Sequence, residues 1–426
     1  SPETSHFQVY TPENQALPTQ ISATHTLLVL TTVPALGYTL LWVKPDRSPL
    51  DPPQPPTPPN SPCTWNPQNL TLSNEFLNVT LDPTMGAIAA IWDHRLGRDL
   101  LYAPGNQFQF FCDRGQYWDA WNIDPNYRQD PLESATLVSL TALETGPLRV
   151  KVRGIWQFNQ SRIVQDYCLE QRSPQLQLIT TVEWQETHVL WKVAFPLAIG
   201  SNPETSPANP QDPNHSPEKS QKPVEFTTEI ACGAMQRSLN PQTPQEKAQW
   251  EVPIHRWADL SLGQPNAPGA TQDATQSATH GAQVPGTSPS FTEPWGVSLL
   301  NDCKYGCDAQ ETPQGSQFRL TLLRSPLWPN PHADRGQHQF TYALYSHGGN
   351  WQGGQTVQQG YNLNQPLTAL NLASVSKVSP NPAKTLPQSG SLLRITVGNP
   401  KGDRDDRSHL DDWDSLSNLG QDDRSH

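Results

Sequence analysis

The chain has 426 residues, of which 44 are proline and 26 are glycine, and only 35% are hydrophobic. This mixture indicates a β-rich core interrupted by proline-rich insertions, and it argues against a helical bundle. The formal net charge is −12 and nothing in the sequence resembles a basic patch that could neutralise phosphates, so the sequence argues against nucleic acid as a partner.

The first predicted element is the apolar stretch LLVLTTVPALGYTLLWV at residues 27–43. It is slightly short for a membrane span, contains Pro34 and Gly37, and lacks basic residues on its N-terminal side. Two short buried strands around a proline-containing turn explain it better. We therefore predict a small β unit at residues 1–43 with no membrane contact, followed by a proline-rich linker at residues 44–62.

Period-2 alternation of apolar and polar residues predicts antiparallel strands with one face on a core and the other toward water. This alternation is clear at residues 148–158, 175–184, 318–324 and 339–345. Since no long stretch has helical periodicity with caps, the sequence predicts an all-β fold. Its main part is a large antiparallel β-sandwich over residues 63–375.

Three polar stretches cannot contribute to that core. Residues 201–223 and 263–290 are small, polar and proline-rich, and we expect them to be long disordered insertions between strands. Residues 376–426 are acidic and contain the sequence DDRSH twice, so we expect a low-complexity, disordered tail.

One loop, RGQYWDAWNIDPNYRQD at residues 114–130, alternates large aromatic rings with short carboxylates and amides. A pyranose explains both features, because its C–H face packs on a ring while carboxylates and amides orient its hydroxyls. The alternative is a partly buried turn whose aromatic side chains plug one end of the sandwich. The candidate substrate-binding residues of this loop are Tyr117, Trp118, Asp119 and Trp121.

A second candidate group follows an apolar strand at residues 297–300. It consists of Asn301, Asp302, Lys304 and Tyr305. Rigid scaffolds present functional side chains at strand ends, although an ordinary turn that bonds its own backbone is the alternative. Polar and aromatic residues at 253–261 and 324–338 are weaker candidates, for which structural roles are favoured.

Motifs that would indicate other enzyme classes are missing. The sequence has no G-x-S-x-G, no phosphate-binding glycine loop and no H-E-x-x-H. Six cysteines are too sparse for a disulfide framework, and Cys303 and Cys307 have no histidine or second cysteine pair nearby at zinc spacing. These features predict a reduced, cytoplasmic protein with no metal site of its own.

Six segments in one order carry a family resemblance. They are LSNEFLNVTLDPTMGAIAAIWDHRLGRDLL (72–101), APGNQFQFFCDRGQYWDAWNID (103–124), VAFPL (193–197), HRWADLS (255–261), GVSLLNDCKYG (296–306) and LLRSPLWPNPHADRGQHQFTYAL (322–344). Together they resemble the C-terminal half of the α-mannosidases of glycoside hydrolase family 38, in its cytosolic and bacterial branch. The resemblance covers residues 20–370, broken by the two insertions.

The resemblance implies a retaining exo-α-mannosidase that acts on mannose-containing oligosaccharides. In the family, an aspartate nucleophile, a second carboxylic acid and a zinc ion act together. They lie on an N-terminal α/β barrel and a helical bundle that this sequence does not contain. No catalytic residue, zinc ligand or cofactor is therefore assigned to this chain. Zinc is expected in the complete enzyme, and a separate chain that carries the barrel is a candidate partner.

The resemblance also implies a role for the sandwich itself, which is similar to the galactose-mutarotase supersandwich. It packs against the catalytic domains and lends the loops at 116–127 and 301–305 to the rim of the mannose pocket. The leading interpretation is the C-terminal portion of an α-mannosidase. The alternatives are a stand-alone carbohydrate-binding β-sandwich and a poorly folding product without activity.

Overall fold

The structure, a computed structural model, is built almost entirely of β-strands. It describes residues 7–34, 37–45, 61–115, 118–200, 223–263, 294–371 and 391–395, with the side chains of 391–395 excepted. The predicted linker and the two predicted insertions therefore lie largely outside the described residues.

Two small sheets form the N-terminal part of the structure. Their strands are β1 Phe7–Tyr10, β2 Ala16–Leu17, β3 Thr19–Ile21, β4 Leu27–Thr31 and β5 Trp42–Pro45. The first sheet has the order β2-β1-β5, and β3 pairs with β4 in the second. Gln20 ties this unit to the main sandwich, because its Oε1 accepts hydrogen bonds from Leu148 N at 2.7 Å and Arg149 N at 2.8 Å.

The apolar stretch at 27–43 is only partly the buried pair of strands that we predicted. Strand β4 is buried along its whole length, but β5 is exposed and Trp42 leaves 58% of its surface open. The prediction is wrong for this second strand, because β5 lies at the edge of its sheet. No helix among the described residues is long and apolar enough to cross a membrane.

One strand lies inside the range predicted as an acidic tail. Strand Ser391–Ile395 pairs antiparallel with β4 and completes a three-stranded sheet with β3. This differs from the predicted tail at 376–426. The range as a whole is acidic and polar, but residues 391–395 read SLLRI, and three apolar residues in five favour a strand. The rest of that range lies outside the described residues.

Three antiparallel sheets form the main body, in the orders β10-β9-β8-β7-β6, β11-β16-β23-β22-β19 and β12-β13-β14-β15-β24-β21-β20-β17-β18. The strands are β6 Thr64–Asn66, β7 Thr71–Ser73, β8 Leu77–Leu81, β9 Ile88–Asp93, β10 Arg98–Asp99, β11 Gln107–Cys112, β12 Thr136–Thr145, β13 Arg149–Phe158, β14 Ser161–Glu170, β15 Gln175–Trp184, β16 Val189–Leu197, β17 Val224–Ile230, β18 Gly233–Arg237, β19 Val252–Pro253, β20 Trp257–Leu262, β21 Trp295–Asn301, β22 Gly306–Thr312, β23 Gly315–Arg324 and β24 Gly336–Gly348. The helices are a 3₁₀ turn Tyr127–Gln129, α1 Pro244–Lys247 and α2 Thr356–Asn364.

The core lies between the five-stranded sheet of β11 and the nine-stranded sheet. Phe110 of the first stacks on Phe158 of the second with ring centroids 3.8 Å apart, and Trp191 stacks on Trp184 at 5.5 Å. All four alternating segments form strands, as β13, β15, β23 and β24. The all-β class and the large antiparallel sandwich are confirmed.

Strand pairing brings both candidate loops to one end of the sandwich. Cys112 at the end of β11 pairs with Val189 at the start of β16, and the next residue of β16 pairs with Arg324 at the end of β23. In the nine-stranded sheet, the first residue of β24 pairs with the last residue of β15. The last residue of β21 pairs with the seventh residue of β24. The loops at 113–135, 185–188, 302–305 and 325–335 therefore emerge together.

Candidate functional site

Three exposed tryptophans lie at this end of the sandwich. Trp118, Trp121 and Trp328 leave 69%, 88% and 60% of their surfaces open, and Leu327 is also exposed. The rings of Trp118 and Trp328 are 6.4 Å apart between centroids, and Ala120 N donates to Trp328 O across the two loops. We call Trp118, Trp121, Leu327 and Trp328 the tryptophan face. Because grouped exposed apolar side chains are a common feature of binding surfaces, this face is the candidate binding surface.

Arg324 holds the loop that carries Trp118 and Trp121. Its guanidinium pairs with both carboxylate oxygens of the fully buried Asp113. It also donates to the carbonyl oxygens of Asp119 at 2.9 Å, Ala120 at 3.2 Å and Asn122 at 2.9 Å. Nη2 has two N–H groups and faces three of these acceptors, so one of its hydrogens is shared between two oxygens. The loop is therefore fixed to the end of β23.

Asp119 joins the two loops of the tryptophan face. Its Oδ2 accepts from Leu327 N at 2.6 Å and from Trp328 N at 3.0 Å. Its Oδ1 is buried without a hydrogen bond, and His188 Nδ1 lies 3.5 Å from it. The predicted role of Asp119 on a sugar hydroxyl stays a prediction, since the structure describes a carboxylate that orders the backbone.

A charged cluster lies beneath the same loop, on the outer face of the five-stranded sheet. Asp308 of β22 lies 2.7 Å from Lys192 of β16, 2.6 Å from Arg319 of β23 and 3.2 Å from Arg128. The buried ring of Tyr127 covers it, with Lys192 Nζ 5.6 Å from the ring centroid. We call these five residues the charged pedestal.

The pKa values of Asp308 and Lys192 in the charged pedestal depend on the charges around them. Burial by itself raises the pKa of Asp308, but Lys192, Arg319 and Arg128 outweigh it and hold that pKa below its ordinary value. Burial by itself lowers the pKa of Lys192, but Asp308 and Glu251 outweigh it and raise that pKa. The carboxylate and the ammonium therefore remain charged at neutral pH, which anchors Tyr127 and the loop above them.

The first two residues of the second candidate group shape the turn after β21. Asn301 is buried, donates to His255 O at 2.7 Å and accepts from Lys304 N at 2.6 Å. Asp302 accepts from Thr341 N at 2.8 Å and donates its own N–H to Thr341 O. Only the bond from Lys304 N to Asn301 Oδ1 is a local bond of the kind that the structural alternative expects; the other bonds tie the turn to residues 46 and 39 positions away in the sequence.

The other two residues of this group are more accessible. Tyr305 is exposed, and Lys304 is half-buried with its Nζ 4.0 Å from the ring centroid of Phe340. Burial lowers the pKa of Lys304, although the charge of Asp334 acts in the opposite direction. Asp334 also accepts from Arg324 N at 3.0 Å, so the loop at 325–335 links the two candidate groups.

The structure therefore assembles part of the predicted site and adds residues to it. Trp118, Asp119 and Trp121 lie together, whereas Tyr117 lies outside the described residues. Arg324 and Trp328 belong to the segment 324–338, which the sequence marks only as a weaker candidate. Sequence reasoning did not select Asp113 or His188 for the site.

The described residues do not fit a zinc site. No three side chains from His, Cys, Asp and Glu lie close enough together to hold a metal ion in the part of the chain that the structure describes. The zinc ion that the resemblance implies therefore has no ligand set among these residues.

Comparison with known proteins identifies the class and then the family. A model described as the glycosyl hydrolases family 38 C-terminal domain matches residues 72–332, which places the chain among the glycosyl hydrolases. The chain belongs to family 38 of that class.

Curated relatives and solved structures agree with this assignment. The chain is 32% identical to human alpha-mannosidase 2C1 over 347 residues, which cover 80% of this chain and 28% of that protein. It is 27% identical to alpha-mannosidase G of Dictyostelium discoideum, over 74% of this chain and 25% of that one. The crystal structure of an alpha-mannosidase from Enterococcus faecalis V583 has the same fold with a TM-score of 0.52, at 13% identity, and the match covers 84% of this chain and 40% of that chain. The chain thus spans little more than a quarter of the length of these curated relatives.

Proposed function

We propose that this chain is the C-terminal portion of an α-mannosidase that hydrolyses terminal α-mannosyl residues in the catabolism of mannose-containing oligosaccharides. The sandwich supports the catalytic domains, and the tryptophan face forms part of the rim of the sugar pocket. The observation that carries the proposal is this rigidly held group of exposed tryptophans in a family 38 chain. Its curated relatives in human and Dictyostelium discoideum are named alpha-mannosidases.

The chemistry of the tryptophan face fits a pyranose. Indole rings offer large flat apolar surfaces for the C–H face of a sugar at little cost in side-chain entropy, because each side chain has two rotatable bonds. The Arg324–Asp113 pair fixes the backbone of the loop that carries Trp118 and Trp121 before the ligand arrives. A pre-organised face loses less conformational entropy on binding than a mobile loop does.

The catalytic chemistry belongs to the remainder of the proposed enzyme. There, a bound zinc ion would polarise sugar oxygens beside the nucleophile and the acid. The barrel that holds them is contributed by the same polypeptide or by a separate chain, and we propose a cytoplasmic location. All six cysteines lie in described residues and none is joined in a disulfide, which supports a reducing compartment.

The test joins this chain to the barrel and helical bundle of human alpha-mannosidase 2C1 and measures hydrolysis of 4-nitrophenyl α-mannoside. We expect the joined enzyme to be active in the presence of zinc, and the 426-residue chain and the human segment to be inactive when each is assayed alone. Zinc-dependent hydrolysis by the 426-residue chain alone would contradict the proposal. A joined protein that is folded by circular dichroism but inactive would also contradict it.

The second candidate function is a stand-alone carbohydrate-binding β-sandwich. The exposure of the tryptophan face in this chain alone favours it, since a sugar could reach the rings without any other domain. Tight, saturable binding of mannose oligosaccharides by the isolated chain, together with an inactive joined enzyme, would favour this second function.

A further inference from the structure

His188 lies at the base of the tryptophan face, directly before β16. Its backbone has a positive φ of 53°, a conformation that costs energy for any residue with a Cβ and persists where surrounding contacts enforce it. Two backbone bonds of 2.7 Å do so here, from His188 N to Ser325 O and from Asp113 N to His188 O. The two loops that carry the tryptophans therefore fix the backbone position from which the imidazole projects.

The hydrogen bonds of His188 determine which ring nitrogen carries the proton. Nδ1 lies 3.1 Å from Asp113 O and 3.5 Å from Asp119 Oδ1. Both are acceptors when Asp119 is ionised, so Nδ1 must be the donor. In the neutral ring, Nε2 then carries a lone pair and accepts hydrogen bonds.

The exposed part of the ring is the part that carries Nε2. The side chain of His188 is 25% exposed, while Asp119 Oδ1, which faces Nδ1, is buried and Asp113 is completely buried. The open edge is consequently the one away from Nδ1. Asp119, which faces Nδ1, also bonds the backbone of Leu327 and Trp328, so one carboxylate joins His188 to the loop that carries Trp328.

We propose that His188 is a sugar-binding residue whose Nε2 accepts a hydrogen bond from a hydroxyl group of a mannoside seated on the tryptophan face. The inference rests on the proposed function of that face. The rings supply the apolar contact and His188 supplies one directional acceptor. Asp119, which lies next to Nδ1, fixes the orientation of the imidazole. Such a bond specifies where a hydroxyl must lie, which stacking on a ring alone does not.

The test compares His188→Asn with His188→Ala in the full chain. Asparagine tolerates positive φ, and its side-chain amide can replace Nδ1 as the donor to Asp113 O, but it has no atom in the position of Nε2. His188→Asn should therefore keep the melting temperature of the wild type and lose only the acceptor. His188→Ala should lose both and melt at a lower temperature.

Binding is measured with methyl α-D-mannoside, using the tryptophan fluorescence and the imidazole ¹⁵N shifts. We expect the sugar to shift the Nε2 resonance of the wild type, and His188→Asn to bind about three- to tenfold more weakly, the usual effect of one hydrogen bond. If the wild type binds and His188→Asn binds equally well, the inference fails while the proposed function stands. If the isolated wild type shows no saturable response, the two proteins are compared by KM for 4-nitrophenyl α-mannoside in the joined enzyme, where an equal KM for His188→Asn overturns the inference.

Discussion

Arg324 and Asp113 form the ion pair on which the loop of the tryptophan face depends. Asp113 is completely buried, and Arg324 bonds both of its oxygens as well as three carbonyl oxygens of the loop. A buried carboxylate that loses its partner keeps its desolvation cost without compensation. The pair therefore affects both the stability of the chain and the order of the loop.

Replacing Arg324 with lysine tests this dependence. Lysine keeps the charge but cannot form the planar, forked contacts, so Arg324→Lys should lower the free energy of unfolding by about 2 kcal/mol through lost hydrogen bonds. Urea unfolding measures the change. The matched control is Arg335→Lys at an exposed position of the neighbouring loop, which should change stability by less than about 0.5 kcal/mol. Equal effects of the two variants would mean that the pair does not hold the loop.

At the scale of elements, the charged pedestal joins the loop at 113–131 to strands β16, β22 and β23. The stability that the charged pedestal contributes to the fold should decrease as the pH becomes acidic. Because the folded pKa of Asp308 lies below its ordinary value, the carboxylate contributes stability above the unfolded pKa of about 3.9. That contribution is lost as the pH falls through the lower folded pKa.

Asp308→Asn tests the pedestal across this range. At pH 7 the variant should be less stable than the wild type by about 3 kcal/mol, because Lys192 and Arg319 lose their buried counter-charge. The difference should shrink as the pH falls below the unfolded pKa of about 3.9, because the carboxylate is then protonated in the unfolded chain before it is protonated in the folded one. Urea unfolding at pH 7 and pH 3 gives both values, and the exposed Asp130→Asn serves as control. A difference that is the same at both pH values would exclude an electrostatic origin.

The strands were predictable from the sequence because each half-buried strand carries its own two-residue period. Strands β13, β15, β23 and β24 follow it. Helix α2 was not predicted, because its nine residues TVQQGYNLN hold few apolar side chains. The residues that it buries are Thr356 and Gly360, which give no apolar helical pattern in the sequence. The exposure of β5 depends on its edge position, which is a property of the sheet and not of the strand.

The candidate site was predictable only in part, for a similar reason. The alternation of rings and carboxylates at 114–130 selected Trp118, Asp119 and Trp121, which the structure brings together with Trp328. The bonds that hold them join residues about 70 to 210 positions apart, such as Arg324 with Asp113 and His188 with Asp113. A single sequence carries no signal for such pairs. Asp119 and Asn301 show the same limit, since each bonds backbone groups that lie far from it in the sequence.

At the scale of the whole molecule, the sandwich gathers four loops at one end and places the tryptophan face among them. The chain covers 28% of the length of human alpha-mannosidase 2C1, and the proposed function has this end of the sandwich contribute to a pocket shared with further domains. A face that only plugged the sandwich would bury its rings. Instead, Trp121 leaves 88% of its surface open.

The kinetics of Trp118→Ala in the enzyme joined to the barrel and bundle test the central claim most directly. The matched control is Trp42→Ala, which removes another exposed tryptophan on the distant strand β5. We predict that Trp118→Ala raises KM for 4-nitrophenyl α-mannoside about fivefold, since loss of one stacking contact weakens binding by about 1 kcal/mol, while Trp42→Ala leaves KM unchanged. Unchanged kinetics for Trp118→Ala would contradict the account and leave the loop as a structural turn.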